Sequence, residues 1–501
     1  MSLVVRRLAN AANAQPTPAL TCKEQKPSPL PHMEQTIPNP YYPAMITPNT
    51  FCLNGELQSL ANSDPRESLL RWLKRHHQTG TKEGCADGDC GACTVALIEA
   101  DGLGGSRYVA INSCLLPVGV LPAREVLTVE SLADGETLHP VQQALVDAAG
   151  SQCGYCTPGF VMSLFVGLHE GALDDDAIAG NLCRCTGYGP IRQAARQLAA
   201  DAPGDARFAA LRAQTRPDLP AADITRFFSP VNIDDALALK AEHRQSDWFA
   251  GGTDLGVDLS HGKPVAPVLI ALERINELQQ LRIDDDRVWI GAAVSLSRLQ
   301  SELQGLFPAI DDLLPWFAGR QVRNRATLGG NLGSASPIGD LLPVLLALDA
   351  VIHLRSLDGA RAIDAADYFV DYRKTARRAD ELIVGVTVPR RTDLRSGCAK
   401  VAKRQTDDIS IVAAAFALGV DDQQRVSHAR LAYGGVAAIP LRARMTEALL
   451  IGRPLDQTTL DAAAAQLRAE FEPLSDHRAG SEYRRALSAN LFLRFVAGLR
   501  P

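Results

Sequence analysis

The sequence has no run approaching about 18 apolar residues; even its greasiest stretch, residues 341–352, carries Pro343 and Asp349, which excludes a membrane-spanning helix. It has little excess charge of either sign. The 51 Lys and Arg against 57 Asp and Glu leave a net charge of −6, which offers nucleic acid or a membrane surface no electrostatic footprint. No internal repeat at a fixed period is present, so solenoid and propeller architectures are excluded. No G-x-G-x-x-G occurs, so the usual dinucleotide fingerprint is missing. The eleven cysteines are odd in number and show no pairing pattern, which argues against a disulfide scaffold and for a reducing, cytoplasmic setting.

What is there is an ordinary globular composition, 46% hydrophobic and 22% charged, over 501 residues, enough for about three or four domains. Residues 1–48 read as a disordered tail, because nine prolines fall between Pro16 and Pro48 and apolar periodicity is missing. Arg6, Arg7 and Lys23, with no acidic residue before Glu24, weakly resemble a transit peptide, but the prolines would break the amphipathic helix it needs. Residues 49–126 read as a small α+β unit with one helix, N-capped by Asp64 and carrying Leu69, Leu70 and Leu73 on its apolar face. Residues 127–200 switch to helical spacing, with helices expected over 139–149, 160–169, 189–200 and about 176–182. The Pro/Asp/Ala/Arg-rich stretch 201–222 reads as a surface linker. An α/β unit over 223–392 follows, then a smaller one over 393–501 with strands at 409–420 and 430–433 and a helix at 460–471.

Eight of the cysteines form two constellations. Cys85, Cys90, Cys93 and Cys114 have the C-x4-C-x2-C…C spacing of plant-type [2Fe–2S] ferredoxins. Gly84, Gly88 and Gly91 would let backbone amides approach the sulfurs. Cys153, Cys156, Cys183 and Cys185 form a C-x2-C and a C-x-C, each preceding an expected helix whose N-terminus would face an anionic cluster. Spacing alone leaves a structural zinc open at both quartets, and more so at the second. Cys22, Cys52 and Cys398 stand apart, the latter two as small buried hydrophobes. Two Gly-rich turns, FAGGTDLGV over 249–257 and TLGGNLGSASPIGDLLP over 327–343, could present amides to a pyrophosphate, or could be hairpins with no ligand.

With these motifs in this order, the sequence resembles the small, iron–sulfur/FAD subunits of bacterial xanthine dehydrogenases, in the molybdenum hydroxylase family. The resemblance runs from about residue 51 to 496. It implies an α+β multidomain chain: a β-grasp [2Fe–2S] ferredoxin domain, a four-helix [2Fe–2S] domain, an α/β FAD-binding domain and an α+β flavoprotein C-terminal domain. It implies that Ala250, Gly251, Gly252, Thr253 and Asp254, with Gly329, Gly330, Asn331 and Ser334, hold the FAD pyrophosphate. Phe317, Thr327, Ser336, Arg373 and Lys403 would border the cofactor, and Asp340 would bond its adenosine side. Arg404, Asp407 and Asp408 become candidates for the NAD pocket, with solvated surface charge as the alternative, and Gln405 and Thr406 stand where some relatives carry a charge. Gln152 and Cys185 would lie beside the molybdopterin of a partner.

The implied activity is electron transfer, from a partner that hydroxylates hypoxanthine and xanthine to urate, through two [2Fe–2S] clusters to FAD and then NAD. No substrate-site residue is expected in this chain. Nothing after Pro501 leaves room for a molybdopterin domain, so an obligate large subunit is expected, in an α2β2 assembly. The alternatives are an aldehyde- or heterocycle-oxidising hydroxylase of the same family, a free-standing NADH:acceptor reductase, and a flavin-free carrier or metal-binding scaffold.

Overall fold

The computed structural model describes residues 49–404 and 406–499; the Pro-rich tail, its transit-peptide-like stretch, Cys22 and Gln405 lie outside the described residues. The described residues begin with a five-stranded mixed sheet in the order Glu56–Ser59, Thr50–Leu53, Glu125–Leu127, Thr94–Ala100, Ser106–Asn112. Only the central pair, Thr50–Leu53 with Glu125–Leu127, runs parallel. The helix Leu69–Arg75 packs on this sheet through Leu69, Trp72 and Leu73, with Trp72 edge-on to Phe51 at 5.1 Å, while Leu70 packs against Cys93 and Cys114. Its N-cap is Ser68, whose hydroxyl accepts from the Arg71 N–H, and not Asp64 as the sequence suggests. Asp64 closes a turn of its own by accepting from the Arg66 N–H, while a bridge to Pro117 holds Ser68 extended.

The helical unit is built around Thr157–His169, which is buried from Thr157 to Gly167 and so has no polar face to expose. Pro140–Asp147, Asp175–Ala179 and Gly189–Asp201 surround it, and it packs on strands Thr94–Ala100 and Ser106–Asn112. The connector is more ordered than its composition implies. It contains the helix Ala206–Arg212, whose Phe208 is buried against Tyr108 and Phe165, and Arg216 forms a buried ion pair with Glu125 at 2.6 Å. One large aromatic and one paired guanidinium thus anchor a stretch that reads as polar linker.

The second half starts with a four-stranded sheet, in the order Ala222–Ile224, Phe227–Ser229, Leu269–Ala271, Asp247–Phe249. A five-stranded antiparallel sheet follows, in the order Leu281–Ile283, Arg287–Gly291, Leu382–Pro389, Val351–Ser356, Gly359–Asp364. The wholly buried helix Leu341–Ala347 lies between this region and the last sheet, where it packs on Val412–Val420 and Val426–Gly434. The strand Val412–Val420, VAAAFALGV, is covered on both faces, because Ser481–Leu499 packs on it as well. That explains its unbroken apolar run.

Two largely buried to half-buried ionic networks join the halves. Glu273 meets Arg124, just before the strand Glu125–Leu127, at 2.8 Å and also pairs with Arg325. Asp176 of the helical unit takes Arg320 at 2.8 Å and Arg323 at 2.6 Å, both from the short helix Arg320–Arg323.

Candidate functional site

The first cysteine quartet sits on the loop between Leu69–Arg75 and Thr94–Ala100, with Cys114 supplied by the turn after Ser106–Asn112. Cys93 and Cys114 are buried with their sulfurs 3.3 Å apart. Cys85 Sγ accepts the N–H groups of Asp87 and Cys90, each at 3.3 Å. The Cys90 thiol is its side-chain partner; with those amides it draws Cys85 down to about 5 against the opposing effect of burial. A Cβ on Gly84 would stand 2.6 Å from Cys90 Sγ, so the loop wraps these sulfurs too closely for any side chain there.

The second quartet joins two turns. Cys153 and Cys156 precede Thr157–His169; Cys183 and Cys185 precede Gly189–Asp201. The side-chain partners cross between the turns, Cys153 with Cys185 and Cys156 with Cys183. Cys183 Sγ lies 3.1 Å from the Thr186 hydroxyl and accepts the Thr186 N–H at 3.5 Å, which holds its thiol below the usual range although burial opposes the shift. Cys153 and Cys185 are exposed, with Gln152, Tyr155 and Leu182 on the same rim.

Pairing decides which metal group the thiols suit. A tetrahedral zinc with bonds of about 2.3 Å needs four sulfurs mutually about 3.8 Å apart. Among the described residues, no three cysteine sulfurs lie within 4.8 Å of one another. Both quartets are instead two close pairs, which is the donor set of a two-iron cluster with two thiolates at each iron. The set that does converge, His139, His169 and Asp205, is already hydrogen-bonded internally.

The loops carrying the quartets touch: the N–H of Leu182, next to Cys183, donates to the carbonyl of Cys90 at 3.0 Å. On its other side the first loop places Asp89 at the edge of a cavity of about 570 Å³ in the second half of the chain. Ala250, Gly251, Gly252, Thr253, Asp254, Phe317, Thr327, Gly329, Gly330, Asn331, Ser334, Ser336 and Asp340 all line it, as do Arg404, Asp407 and Asp408. Arg373 stands at the rim, 3.6 Å from the Asp254 carboxylate, and Lys403 turns away to donate to the His477 carbonyl.

The two Gly-rich turns differ in what they offer. The N–H groups of Leu328, Gly329 and Gly330 are spent on Val294 O, Ala292 O and the Thr327 hydroxyl. Those of Gly251, Gly252, Thr253 and Asp254 find no acceptor among the described residues. A Cβ on Gly251 would lie 1.6 Å from the Arg325 carbonyl oxygen, so only glycine lets this turn press against its neighbour. The Asn331 side-chain oxygen is buried without a partner. Free amides and an orphaned polar atom in a large cavity fit a bound dinucleotide.

Two lining residues escape sequence reasoning. Lys400 forms a buried ion pair with Asp340 at 2.7 Å, and Ser410 donates to the same carboxylate at 2.5 Å; no motif marks either residue. Asp407 has φ +52° and a carboxyl pushed up to about 7 by burial, with Asp89 adding to the shift and Arg404 and the Gly319 N–H opposing it.

Four domain families match the chain: a 2Fe-2S iron-sulfur cluster binding domain over 51–119, a [2Fe-2S] binding domain over 128–196, an FAD binding domain in molybdopterin dehydrogenase over 222–391, and a CO dehydrogenase flavoprotein C-terminal domain over 398–499. The chain belongs to the molybdenum hydroxylase family. It is 32% identical to xanthine dehydrogenase of Drosophila subobscura over 89% of its own length, and 30% identical to xanthine dehydrogenase 1 of Arabidopsis thaliana over 88%. It spans only 38% and 39% of those relatives. Among solved molybdenum hydroxylase structures, carbon monoxide dehydrogenase from Hydrogenophaga pseudoflava superposes at TM-score 0.52 and 26% identity, covering 54% of this chain and 96% of that one. Quinoline 2-oxidoreductase from Pseudomonas putida 86 superposes at 0.51 and 25% identity, covering 55% and 96%. As a member of the family, the chain carries two [2Fe–2S]-binding domains and an FAD-binding domain.

Proposed function

We propose that this chain is the iron–sulfur and flavin subunit of a xanthine dehydrogenase, serving a molybdopterin-binding partner that hydroxylates hypoxanthine and xanthine, with NAD as final acceptor. One observation carries the reading: the three sites stand in series. The second quartet, with Cys153 and Cys185 at the surface, is bonded through Leu182 and Cys90 to the first loop, and that loop supplies Asp89 to the flavin cavity. When bound, the clusters carry electrons singly and the flavin exchanges them in pairs as hydride with NAD.

The residues divide the work accordingly. Cys85, Cys90, Cys93 and Cys114 hold one cluster, and Cys153, Cys156, Cys183 and Cys185 the other. The free amides of Gly251–Asp254 meet the pyrophosphate charge. Asp340, fixed by Lys400 and Ser410, has an orientation set before any cofactor arrives. Arg404, Asp407 and Asp408 border the side of the cavity that faces the first quartet, where NAD would enter. Gln152 and Cys185, on the exposed rim, face the partner in a cytoplasmic α2β2 assembly. The likeness to quinoline 2-oxidoreductase favours a second reading, in which the same subunit serves an aldehyde- or heterocycle-oxidising partner.

The test is metal and flavin analysis of the purified protein with its co-purifying chains, followed by turnover with xanthine, quinoline and an aldehyde. About four irons and one FAD per chain are expected, with molybdenum only when a second polypeptide is present, and NAD reduction by xanthine in that complex. Xanthine oxidation by this chain alone would refute the partner, and zinc in place of iron, or no flavin, would refute the whole reading.

A further inference from the structure

The sequence WFAGRQVRNRAT lies in the flavin domain, yet its short helix Arg320–Arg323 faces the iron–sulfur domains. Gln321 on that helix is 2% exposed. Its amide nitrogen lies 3.2 Å from the Thr94 hydroxyl, 3.0 Å from the Ser163 hydroxyl and 3.1 Å from the Asn181 side-chain oxygen. These three residues come from different places: Thr94 directly follows Cys93, Ser163 is on the central helix of the helical unit, and Asn181 is two residues before Cys183.

The knot continues into the backbone. Asn181 donates through its amide to the Gly91 carbonyl at 3.0 Å, and the Ser163 hydroxyl donates to Asn181 Oδ1 at 2.7 Å. The chains are pressed together here: a Cβ on Gly91 would stand 2.1 Å from the Gly180 carbonyl, and one on Gly180 would stand 2.1 Å from Gln321 Oε1. One residue further along, Leu182 N–H bonds to Cys90 O. The contact between the two cysteine loops is therefore built on a polar knot closed by a side chain from a third domain. None of the four polar side chains exceeds 2% exposure, so water cannot replace a lost partner without rearrangement.

We infer that Gln321 is a positioning residue: it locks the loop of the first quartet against the loop of the second, so that the geometry between the two clusters is set by docking of the flavin domain. This rests on the assignment of the quartets to two [2Fe–2S] clusters. Gln321 touches neither thiols nor the flavin cavity, and the ionic contacts of its neighbours Arg320 and Arg323 with Asp176 provide general adhesion between the same domains. The adhesion and the knot can be broken separately.

The experiment is low-temperature EPR of the dithionite-reduced protein, purified with its natural partner, on wild type, Gln321→Met and Arg320→Met, with iron and flavin measured on each sample. Two reduced clusters split one another's signals by an amount that falls with the inverse cube of their separation. Gln321→Met keeps the side-chain volume and removes the donor, so a shifted or lost splitting is expected at unchanged iron and flavin content. Arg320→Met, which weakens adhesion alone, is expected to keep the wild-type splitting. Wild-type splitting in Gln321→Met, or an equal shift in both variants, overturns the inference. Where Gln321→Met loads less iron, Ser163→Ala, which deletes one of the three acceptors, decides: a shift supports the knot and no shift overturns it. A wild-type protein with fewer than two cluster signals refutes the cluster assignment itself, independently of Gln321.

Discussion

The two quartets are built alike, as two pairs of thiols, but they differ in exposure: two thiols of the second reach the surface and none of the first does. Cys93 and Cys114 are buried with Leu70 and Leu115, under a loop that also borders the flavin cavity. Cys153 and Cys185 are on the surface beside Tyr155. On the proposed reading, the same ligand chemistry would serve as an internal relay in one place and as an outward-facing port in the other. Burial separates the two roles, because an interior relay is shielded from solvent whereas a port has to be reached from another chain.

The largest effect that would test this contrast comes from deleting one thiol on each side. Cys185→Ser should remove one of two iron–sulfur EPR signals and about half the iron, leaving flavin and thermal midpoint near wild type. Cys93→Ser should remove the other signal and also lower the midpoint and flavin content, because its pair is packed in a core cluster against Val257, just after the Gly251–Asp254 turn that lines the cavity. Equal loss of stability in both would break the distinction. A smaller effect, read by mass spectrometry, is the rate of iodoacetamide labelling in iron-stripped protein. Cys153 and Cys185 should label about tenfold or more faster than Cys93 and Cys114. Within the first quartet Cys85, half-buried and held as thiolate by the Cys90 thiol and the backbone amides, should be the reactive member. Comparable rates for Cys93 and Cys185 would mean the first loop opens to solvent.

The gathering of the thiols into two groups was legible in the sequence because the C-x4-C-x2-C and C-x2-C spacings already put cysteines on the same turns. The flavin cavity was half legible. Glycine turns announce themselves, but which turn keeps its amides free depends on Val294, Ala292 and Thr327 capturing those of the second. Lys400 meets Asp340 across 60 positions of sequence, and nothing local at either residue encodes the pairing. The same holds for Phe208, a single aromatic in a stretch with linker composition, and for Gln321, whose partners belong to two other domains. Asp64 misled because it sits where a cap would, while the decisive bridge from Ser68 to Pro117 is long-range. Local rules read chemistry that is locally constrained; docking between domains lies beyond them.

The two sides should also differ in their response to pH. In the helical unit that carries the port, burial lowers both His139 and His169 from the ordinary histidine value; Asp205 opposes the shift, and Arg207 and Arg212 add to it. A depressed histidine contributes stability above its unfolded pKa of about 6.5, and that contribution is lost as pH falls below it. On the relay side Asp407 is raised to about 7 by burial and by Asp89 and Cys85, against Arg404 and the Gly319 N–H. A raised carboxyl is fully stabilising below its unfolded pKa of about 4 and loses that contribution as pH rises towards 7. Hydrogen exchange from pH 5 to 8, corrected for its intrinsic pH dependence, should therefore show residues 139–212 loosening on the acid side and the segment around residue 407 loosening towards neutrality. The slope should be at most about 1.4 kcal/mol per pH unit for each proton. Asp407→Asn should flatten the second trend and leave the first, and His169→Asn should weaken the first, with His139 still titrating, and leave the second. If either substitution flattened both, the port and the relay would open as one cooperative unit, and the separation drawn between them would hold for their chemistry but not for their stability.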